Sequence, residues 1–475
     1  MTDANTRYCA IDFGTSNSGI ALPSPAPRAD PGLRLLALDP GQPTMPTAVF
    51  YLAESQGEEA PRLYGRAALA AYIDGVDGRL MRSMKSVLGS TLMEQRTDVG
   101  AGRSVPYRDV VAGFLRHLKQ RAEAALSLPQ GTRPGSQGAT VTLDRVVLGR
   151  PVFFVDGDPV RDAKAQAELE RAARAVGFSE VRFQFEPIAA ALDFEAALSA
   201  RGGRECLVLV ADIGGGTSDF SLVRVGPGRG GRVDRRDDIL ANHGVHIAGT
   251  DFDRHLELES ILPHCGYRGR GPAPGPGGRA GSGAGASPDA REVPSRVYFD
   301  LATWHLVNTV YSPARVAELR AMRDFYADRR HHQRLMTLVQ QRLGHALLAQ
   351  AEAAKIALAE GTRGEAGPAA MNAVSIDLSS IGPGLAASLD EAQALKALDA
   401  ELQRIVDAAL KTPRLGGVAA AAVDALYFTG GSTGFGLLTS RIAAALPNAE
   451  VVYGDRFASV AQGLGVHARR VFGDA

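Results

Sequence analysis

Cysteine is scarce here: three in 475 residues, at positions 9, 206 and 265. An odd, scattered trio without metal-type spacing excludes a disulfide framework and a structural zinc cluster. Cys9 and Cys206 introduce or sit inside apolar runs and read as small buried hydrophobes. Neither sign of charge is in excess, with Lys plus Arg and Asp plus Glu at 52 each. That balance removes any whole-molecule electrostatic case for nucleic acid or an anionic membrane. No apolar run reaches the roughly 18 residues that a membrane helix needs. The opening residues, MTDANTRYCAIDFG, lack the basic-then-apolar order of a secretory leader. A reduced cytoplasmic setting is therefore the expectation. What remains is a globular composition, 45% apolar and 22% charged. At roughly 150 residues per domain, its length predicts two to four units.

Glycine, by contrast, is plentiful, and one glycine-rich pattern is written twice. YCAIDFGTSNSGIAL (8–22) and LVLVADIGGGTSDFSLV (207–223) both read as an apolar strand, an aspartate, a tight Gly-Thr-Ser turn and a second apolar strand. In the first strand, Cys9, Ile11 and Phe13 share one face while Tyr8, Ala10 and Asp12 share the other. Between the two hairpins come a Pro-rich patch (23–32), short extended runs such as TAVFYL, and a helical stretch (107–126) striped with Val110, Phe114, Leu118 and Ala122. RVVLGRPVFF reads as a buried strand. Residues 158–178 read as a helix capped by Asp158 and ended by Gly177. VRFQFEPIAAALDF reads as a strand turning into a helix at Glu186-Pro187. The alternation is that of an α/β protein.

After the second hairpin the order resembles the first half, which suggests two related lobes. Residues 225–234 read as a long hairpin turn, and GVHIAGTDFDRHLELESIL as a turn entering a helix. The segment 265–292 is Gly/Pro/Ala low complexity and reads as a mobile loop. From Ser312, a candidate cap followed by Pro313, to about Glu360 the pattern is helical. Within it, ADRRHHQRLMTLVQQRLGH reads as a solvated basic face, with a partner-docking surface as the alternative. His331 and His332 point to different faces, which argues against a metal site. DALYFTGGSTGFGLLTSRIAAAL reads as strand, glycine turn and helix, and SVAQGLGVHARRVF as a final helix.

Glycines let backbone N–H groups approach a phosphate chain, and the hydroxyls of Thr15, Ser16, Thr217 and Ser218 add donors. One such hairpin is often only a turn. Two can face each other and clamp one polyphosphate. Asp12 and Asp212 end the strands before the turns, where both could reach one Mg²⁺ through its waters. A carboxylate capping its own turn is the plainer alternative. The third turn, FTGGST (428–433), could pack a base or ribose against the following helix N-terminus.

In this order, IDFGTSNS, FEPIAAAL, VADIGGGTSDFS, HIAGTDFD and YFTGGST resemble the ATPase domain of the seventy-kilodalton heat-shock chaperones. Within that family the nearest resemblance is to YegD-type chaperone-like ATPases that lack a substrate-binding domain. It runs from about residue 7 to residue 470. It implies an actin-like ATPase fold of the actin and sugar-kinase superfamily, with duplicated ribonuclease-H-like lobes around a central nucleotide cleft. Lobe I would span 1–204, with the C-terminal helix (457–475) packing back on it. Lobe II would span 205–456, with an insertion at about 265–345 and no substrate-binding domain.

Carried over by residue, the resemblance implies ATP/ADP and Mg²⁺ as cofactors. Asp12, Asp212 and Glu186 would hold the metal through waters. Gly14, Thr15, Ser16, Asn17, Gly214, Gly215, Gly216 and Thr217 would bind phosphates. The catalytic set would be Lys85, the family's catalytic lysine, with Asp212 at the metal, Glu186 positioning the metal or the attacking water, and Thr217 and Asp219 near the γ-phosphate. Gly249, Gly430, Gly431 and Ser432 would border the nucleotide, and Glu352 and Lys355 would face the nucleoside. Without the resemblance, Lys85 beside the Met81, Met84 and Leu88 stripe reads as a solvated lysine, and Glu186 as a helix-start carboxylate.

The chain departs from the family at the base end. Ile356 and Gly434 stand where the family has arginines, Ala359 where it has a serine, and Ala248 and Thr250 alter the usual Gly-Gly-Glu. The expectation is a slow, two-lobed ATP-hydrolysing switch with weakened adenine selectivity. A co-chaperone or client would dock on the lobe II insertion, with no nucleic acid or membrane partner. The alternatives are a nucleotide-binding pseudoenzyme or scaffold, a small-molecule kinase, and an actin-like filament protein.

Overall fold

The computed structural model describes residues 8–24, 32–39, 41–53, 61–100, 102–127, 141–155, 157–200, 203–272, 291–361, 373–456 and 458–473. The chain divides into two compact units. The first comprises residues 1–245, 407–433 and 443–475, and the second 246–406 and 434–442. Most of the Pro-rich patch (25–31) and of the Gly/Pro/Ala segment (273–290) lies outside the described residues.

Two sheets organise the first unit. One contains β1 (Tyr8–Phe13), β2 (Asn17–Pro23), β3 (Leu33–Leu35), β4 (Thr44–Pro46), β5 (Arg145–Arg150) and β6 (Glu180–Phe185). The other contains β7 (Cys206–Ile213), β8 (Ser218–Val225), β9 (Ile239–Val245), β10 (Ala425–Thr429) and β11 (Glu450–Tyr453). In each sheet a glycine hairpin, β1–β2 or β7–β8, supplies an antiparallel pair at the centre. Two parallel strands extend the sheet on one side and antiparallel pairing continues on the other. The second sheet thus repeats the order and sense of the β6-β5-β1-β2-β3 path.

Strand β1 shows why its residues alternate. Cys9, Ile11 and Phe13 join a core with α1 (Tyr107–Ser127) and α2 (Pro159–Ala175), in which Val110, Phe114, Leu118 and Ala122 are buried. Tyr8 and Ala10 face another core, shared with α3 (Glu186–Ala200), α4 (Ser459–Phe472) and the second sheet. That core joins Val147 of β5 to Val208 and Val210 of β7, Tyr427 of β10, Ile188 of α3 and Leu464 of α4. The two helices therefore form a layer between the sheets. They approach closely at Gly463, where a Cβ would overlap the Ala189 carbonyl. No larger residue fits there without moving backbone.

Charge fastens the same helix at its other end. Glu195 of α3 is buried and takes a bidentate pair from Arg235, at 2.9 and 3.0 Å. Arg235 and Arg229 also bond Asp238, and Glu195 accepts from the Gly226 amide at 3.0 Å. The long turn between β8 and β9 is thereby tied to α3.

Several local expectations hold. Asp158 accepts from the Arg161 amide at 3.0 Å, and Gly177 closes α2 at φ +94. The final helix spans Ser459–Phe472. Other expectations change. RVVLGRPVFF is a strand only to Arg150, because Pro151 has no N–H for the ladder and the Arg150 side chain bonds the Pro151 and Val152 carbonyls instead. The helical run after Ser312 is three α-helices, Pro313–Ala321, Arg329–Gln340 and Gly344–Gly361. Ser312 makes no side-chain cap.

The second unit is mainly helical. The Gly249–Leu256 helix continues as one π-turn, Glu257–Ile261, and a hairpin pairs Val374–Asp377 with Ala386–Leu389. Arg329–Gln340 is not solvated all round: His332, Leu335, Met336, Leu338 and Val339 are buried, and His332 Nε2 lies 2.9 Å from the Leu319 carbonyl.

Replacing Arg235 by Ala strands Glu195 and Asp238 in the interior without this cation. A loss of about 3–5 kcal/mol in urea denaturation is expected, with Arg235→Lys retaining part of it. A loss below about 1 kcal/mol, the range of exposed pairs, would show the cluster to be solvated.

Candidate functional site

The two hairpins meet within the first unit. Their strands end at Asp12-Phe13 and Asp212-Ile213, after which glycine turns the chain. In the second turn the Gly214 amide donates to the Thr217 carbonyl at 2.9 Å. In the first, a Cβ on Gly14 would run into the Asn17 carbonyl. Ser16 of the first turn lies against Gly215 of the second, where an added Cβ would come within 2.9 Å of the Ser16 hydroxyl. Behind the first hairpin, Ser18 and Thr47 share a buried hydroxyl bond of 2.8 Å, and the Thr47 amide donates to the Ser16 carbonyl.

The third glycine turn joins the second hairpin. β10 runs parallel to β7, placing Thr429 beside Asp212. Gly430 follows at φ +90, and a Cβ there would sit 2.6 Å from Asp212 Oδ1. Ser432 donates its hydroxyl to the Gly214 carbonyl at 2.6 Å. Gly431 is exposed. On the other side of Asp212, its β8 register partner is Asp219, which accepts from the Thr217 hydroxyl at 2.9 Å.

Lys85 is not solvated. Met81, Met84 and Leu88 are buried around it, and its ammonium pairs with Glu186 Oε1 at 2.5 Å with only 9% of the side chain exposed. Burial works to lower the lysine pKa, but Glu186, Asp12 and Asp212 outweigh it and the net shift is upward. Lys85 is a fixed cation. Glu186 opens α3, and β5 passes behind it at Gly149, where a Cβ would lie 3.3 Å from the Glu186 carboxylate.

The two aspartates are short of positive charge. Burial, then Glu186, pushes Asp12 up to about 8 against the pull of Lys85, and Asp212 adds to the rise. Burial, then Asp219 and Glu186, pushes Asp212 up to about 7. One lysine does not neutralise this group of acids. A hard divalent cation would relieve the deficit, and Mg²⁺ needs only one or two carboxylates beside waters and phosphate oxygens. The residues present fit such an ion. Among the described residues, no group of three or more His, Cys, Asp or Glu is arranged as a direct metal cage.

Gly249, Glu352 and Lys355 form a separate cluster in the second unit. Lys355 pairs with Asp253 at 2.6 Å and donates to the Gly249 carbonyl at 3.3 Å, so its ammonium is already engaged. Glu352 is exposed, as is Ile356. Asp253, held up to about 6 chiefly by burial, is the partner that motif reading passed over, although it stands in the TDFD stretch. Gly149, Gly244 and Thr47 also border the site without forming any motif.

The site is thus a glycine-hairpin pair around a carboxylate-rich, lysine-bearing centre in a mixed α/β unit. Residues 89–259 match the family model of the Hsp70 protein. The chaperone protein DnaK of Thermosipho melanesiensis is 30% identical over 257 residues, covering 54% of this chain and 36% of that protein. A chaperone protein HscA homologue of Pseudomonas fluorescens is 32% identical over 271 residues, covering 51% and 35%. Over these stretches the chain is similar to the seventy-kilodalton heat-shock family. It spans about a third of the length of these relatives. No helix among the described residues is long and apolar enough to cross a membrane.

In the folded, metal-free protein Asp12 and Asp212 keep protons that unfolded carboxylates release near their ordinary pKa of about 4. Their contribution to stability is therefore complete below that pH and is lost as pH rises toward 8. The melting temperature without magnesium or nucleotide should fall between pH 6 and 8. Asp12→Asn should flatten that slope in differential scanning fluorimetry.

Proposed function

We propose that this chain binds ATP with Mg²⁺ and hydrolyses it slowly, as a chaperone-type molecular switch. The observation that carries the reading is the approach of the two glycine hairpins beside the buried Lys85–Glu186 pair. Similarity to the Hsp70 family model and to DnaK supports the ATPase class.

In this reading, amides and hydroxyls of residues 14–17 and 214–217 hold the phosphates. Asp12 and Asp212, with Glu186 nearby, hold the hydrated Mg²⁺, which when bound neutralises charge developing on the phosphate oxygens. Lys85 orients the water and faces the γ-phosphate; Glu186 keeps that lysine charged and in place. Water attacks the γ-phosphorus, the bond to the β–γ bridging oxygen breaks, and the water's proton leaves with inorganic phosphate. Such chemistry needs positioning and electrostatics more than covalent assistance. Asp219 and Thr217 hold the second turn in shape beside the reacting group.

The duplicated two-lobed arrangement, with lobe I at 1–204 and lobe II at 205–456, belongs to this proposal. So does nucleotide-dependent switching, which requires the partner to contact the two states differently. The helices of the 265–345 segment are the proposed docking surface for a co-chaperone or client; Phe299 and Phe325 are exposed on it. The cytoplasm is the proposed setting.

Single-turnover hydrolysis with Mg²⁺ tests the catalytic roles. Lys85→Ala should lower the rate by about 100-fold or more while ATP binding survives, and Asp212→Asn should weaken Mg²⁺-dependent binding. Binding without turnover in the unaltered protein would leave a nucleotide-sensing scaffold.

In this reading the base end selects weakly. Ile356 exposes an apolar side chain where a guanidinium would stack, and Lys355 is spent on Asp253 and Gly249. Losing one stacked cation costs about 0.5–2 kcal/mol. Calorimetric affinities for ATP and GTP should lie within about tenfold of each other, since 1.4 kcal/mol is one decade. A preference of several hundredfold for ATP would refute base-blind binding.

A further inference from the structure

A pocket of about 330 Å³ opens elsewhere in the first unit. Its walls come from the segment entering the Gly65–Ile73 helix and from the middle of α1: Pro61, Arg62, Tyr64, Gly113, Arg116, His117 and Gln120. None of the motifs described above reaches it.

The lining is one-sided in chemistry. Five of these seven residues carry side-chain N–H or O–H donors, and none is acidic. Two acids whose charges act on this wall have other engagements. Asp39 pairs with Arg66 at 2.8 Å, and Asp109 faces Arg108 at 3.7 Å. Arg116 is exposed and makes no hydrogen bond or ion pair among the described residues.

The walls are also organised. Tyr64 and His117 stack face to face, 4.0 Å apart and 6° from parallel, which fixes the imidazole. Burial and Arg121 hold His117 below its ordinary pKa, so near neutrality it presents one N–H and one acceptor. The Arg62 guanidinium lies 5.4 Å over the Tyr51 ring. α1 makes room for it with a glycine in mid-helix, where a Cβ would come within 3.2 Å of Arg62 Nη1. Glycine is the least favourable ordinary residue inside a helix, and here it keeps the recess open beside the arginine.

We infer that this recess is a second anion site, separate from the nucleotide hairpins, which takes a small phosphorylated molecule. Two planar guanidinium forks with further hydroxyl, amide and imidazole donors match the many acceptor oxygens of a phosphate better than the two of a carboxylate. The volume accommodates a diphosphate or a small phosphate ester, at the lower end of ligand pockets.

The test follows the His117 ring signals by nuclear magnetic resonance in the full chain, assigned by their loss in His117→Gln. The protein is titrated with pyrophosphate, and separately with acetate and chloride at matched ionic strength. The expected result is a saturable shift with pyrophosphate alone, persisting with saturating ADP and Mg²⁺. Its affinity should fall about tenfold in Arg116→Ala, and also in Gly113→Ala, which favours the helix while crowding Arg62. Arg116 is on the surface, so its loss leaves the fold intact. The proposal is overturned by a shift no larger than chloride gives, by an equal response to acetate, by loss of the response with ADP and Mg²⁺, or by unchanged affinity in both variants.

Discussion

The first unit depends on one helix held between two sheets. α3 carries Glu186 in its first turn and Glu195 nine residues later, and both carboxylates are paired with cations from distant parts of the chain. Its small residues Ala189, Ala190 and Ala191 are buried, and Gly463 lets α4 approach to backbone distance. Apolar packing places the helix in its layer, and the two ion pairs set its position along its axis. Either end sliding would leave a buried charge without a partner, which costs far more than a surface ion pair contributes.

That placement explains the electrostatics of the site. Glu186 holds Lys85 so closely that the lysine is a permanent cation, yet it also adds negative charge beside Asp12 and Asp212. The centre thus gathers more negative than positive charge. In the proposed function, cation and polyphosphate would bring opposite charges that complete it together, the carboxylates attracting one and the backbone amides, hydroxyls and lysine the other. In this reading, the raised carboxylate pKa values and the affinity for cation and phosphate have one electrostatic source.

Much of this was legible in the residues. The alternation of Cys9, Ile11 and Phe13 against Tyr8 and Ala10 separated two cores, and each set joins a different one. Asp158 and Gly177 bounded α2 by local hydrogen bonding and backbone freedom. The repeated hairpin pattern was legible from its glycines and flanking apolar runs, and the proposed phosphate site rests on it. Lys85 was legible only through family resemblance, since its apolar neighbours describe an ordinary surface lysine. Its partner lies 101 residues away. The helical run after Ser312 looked continuous because periodicity does not register breaks at Tyr326–Asp328 or Gln341–Leu343, where chain reversal is needed for packing.

The sequence by itself determined the strand and helix segments, the two glycine turns and the acids that precede them. Those depend on period, on side-chain branching and on which residues tolerate tight turns, all properties of short stretches. Only the tertiary structure decided that Ser16 lies against Gly215, that Lys85 is paired with Glu186, that Arg235 grips α3, and that Lys355 is spent on Asp253. These are encounters between residues far apart in the chain. Their energies come from burial and charge neutralisation, which exist only once the sheets and helices have closed around them.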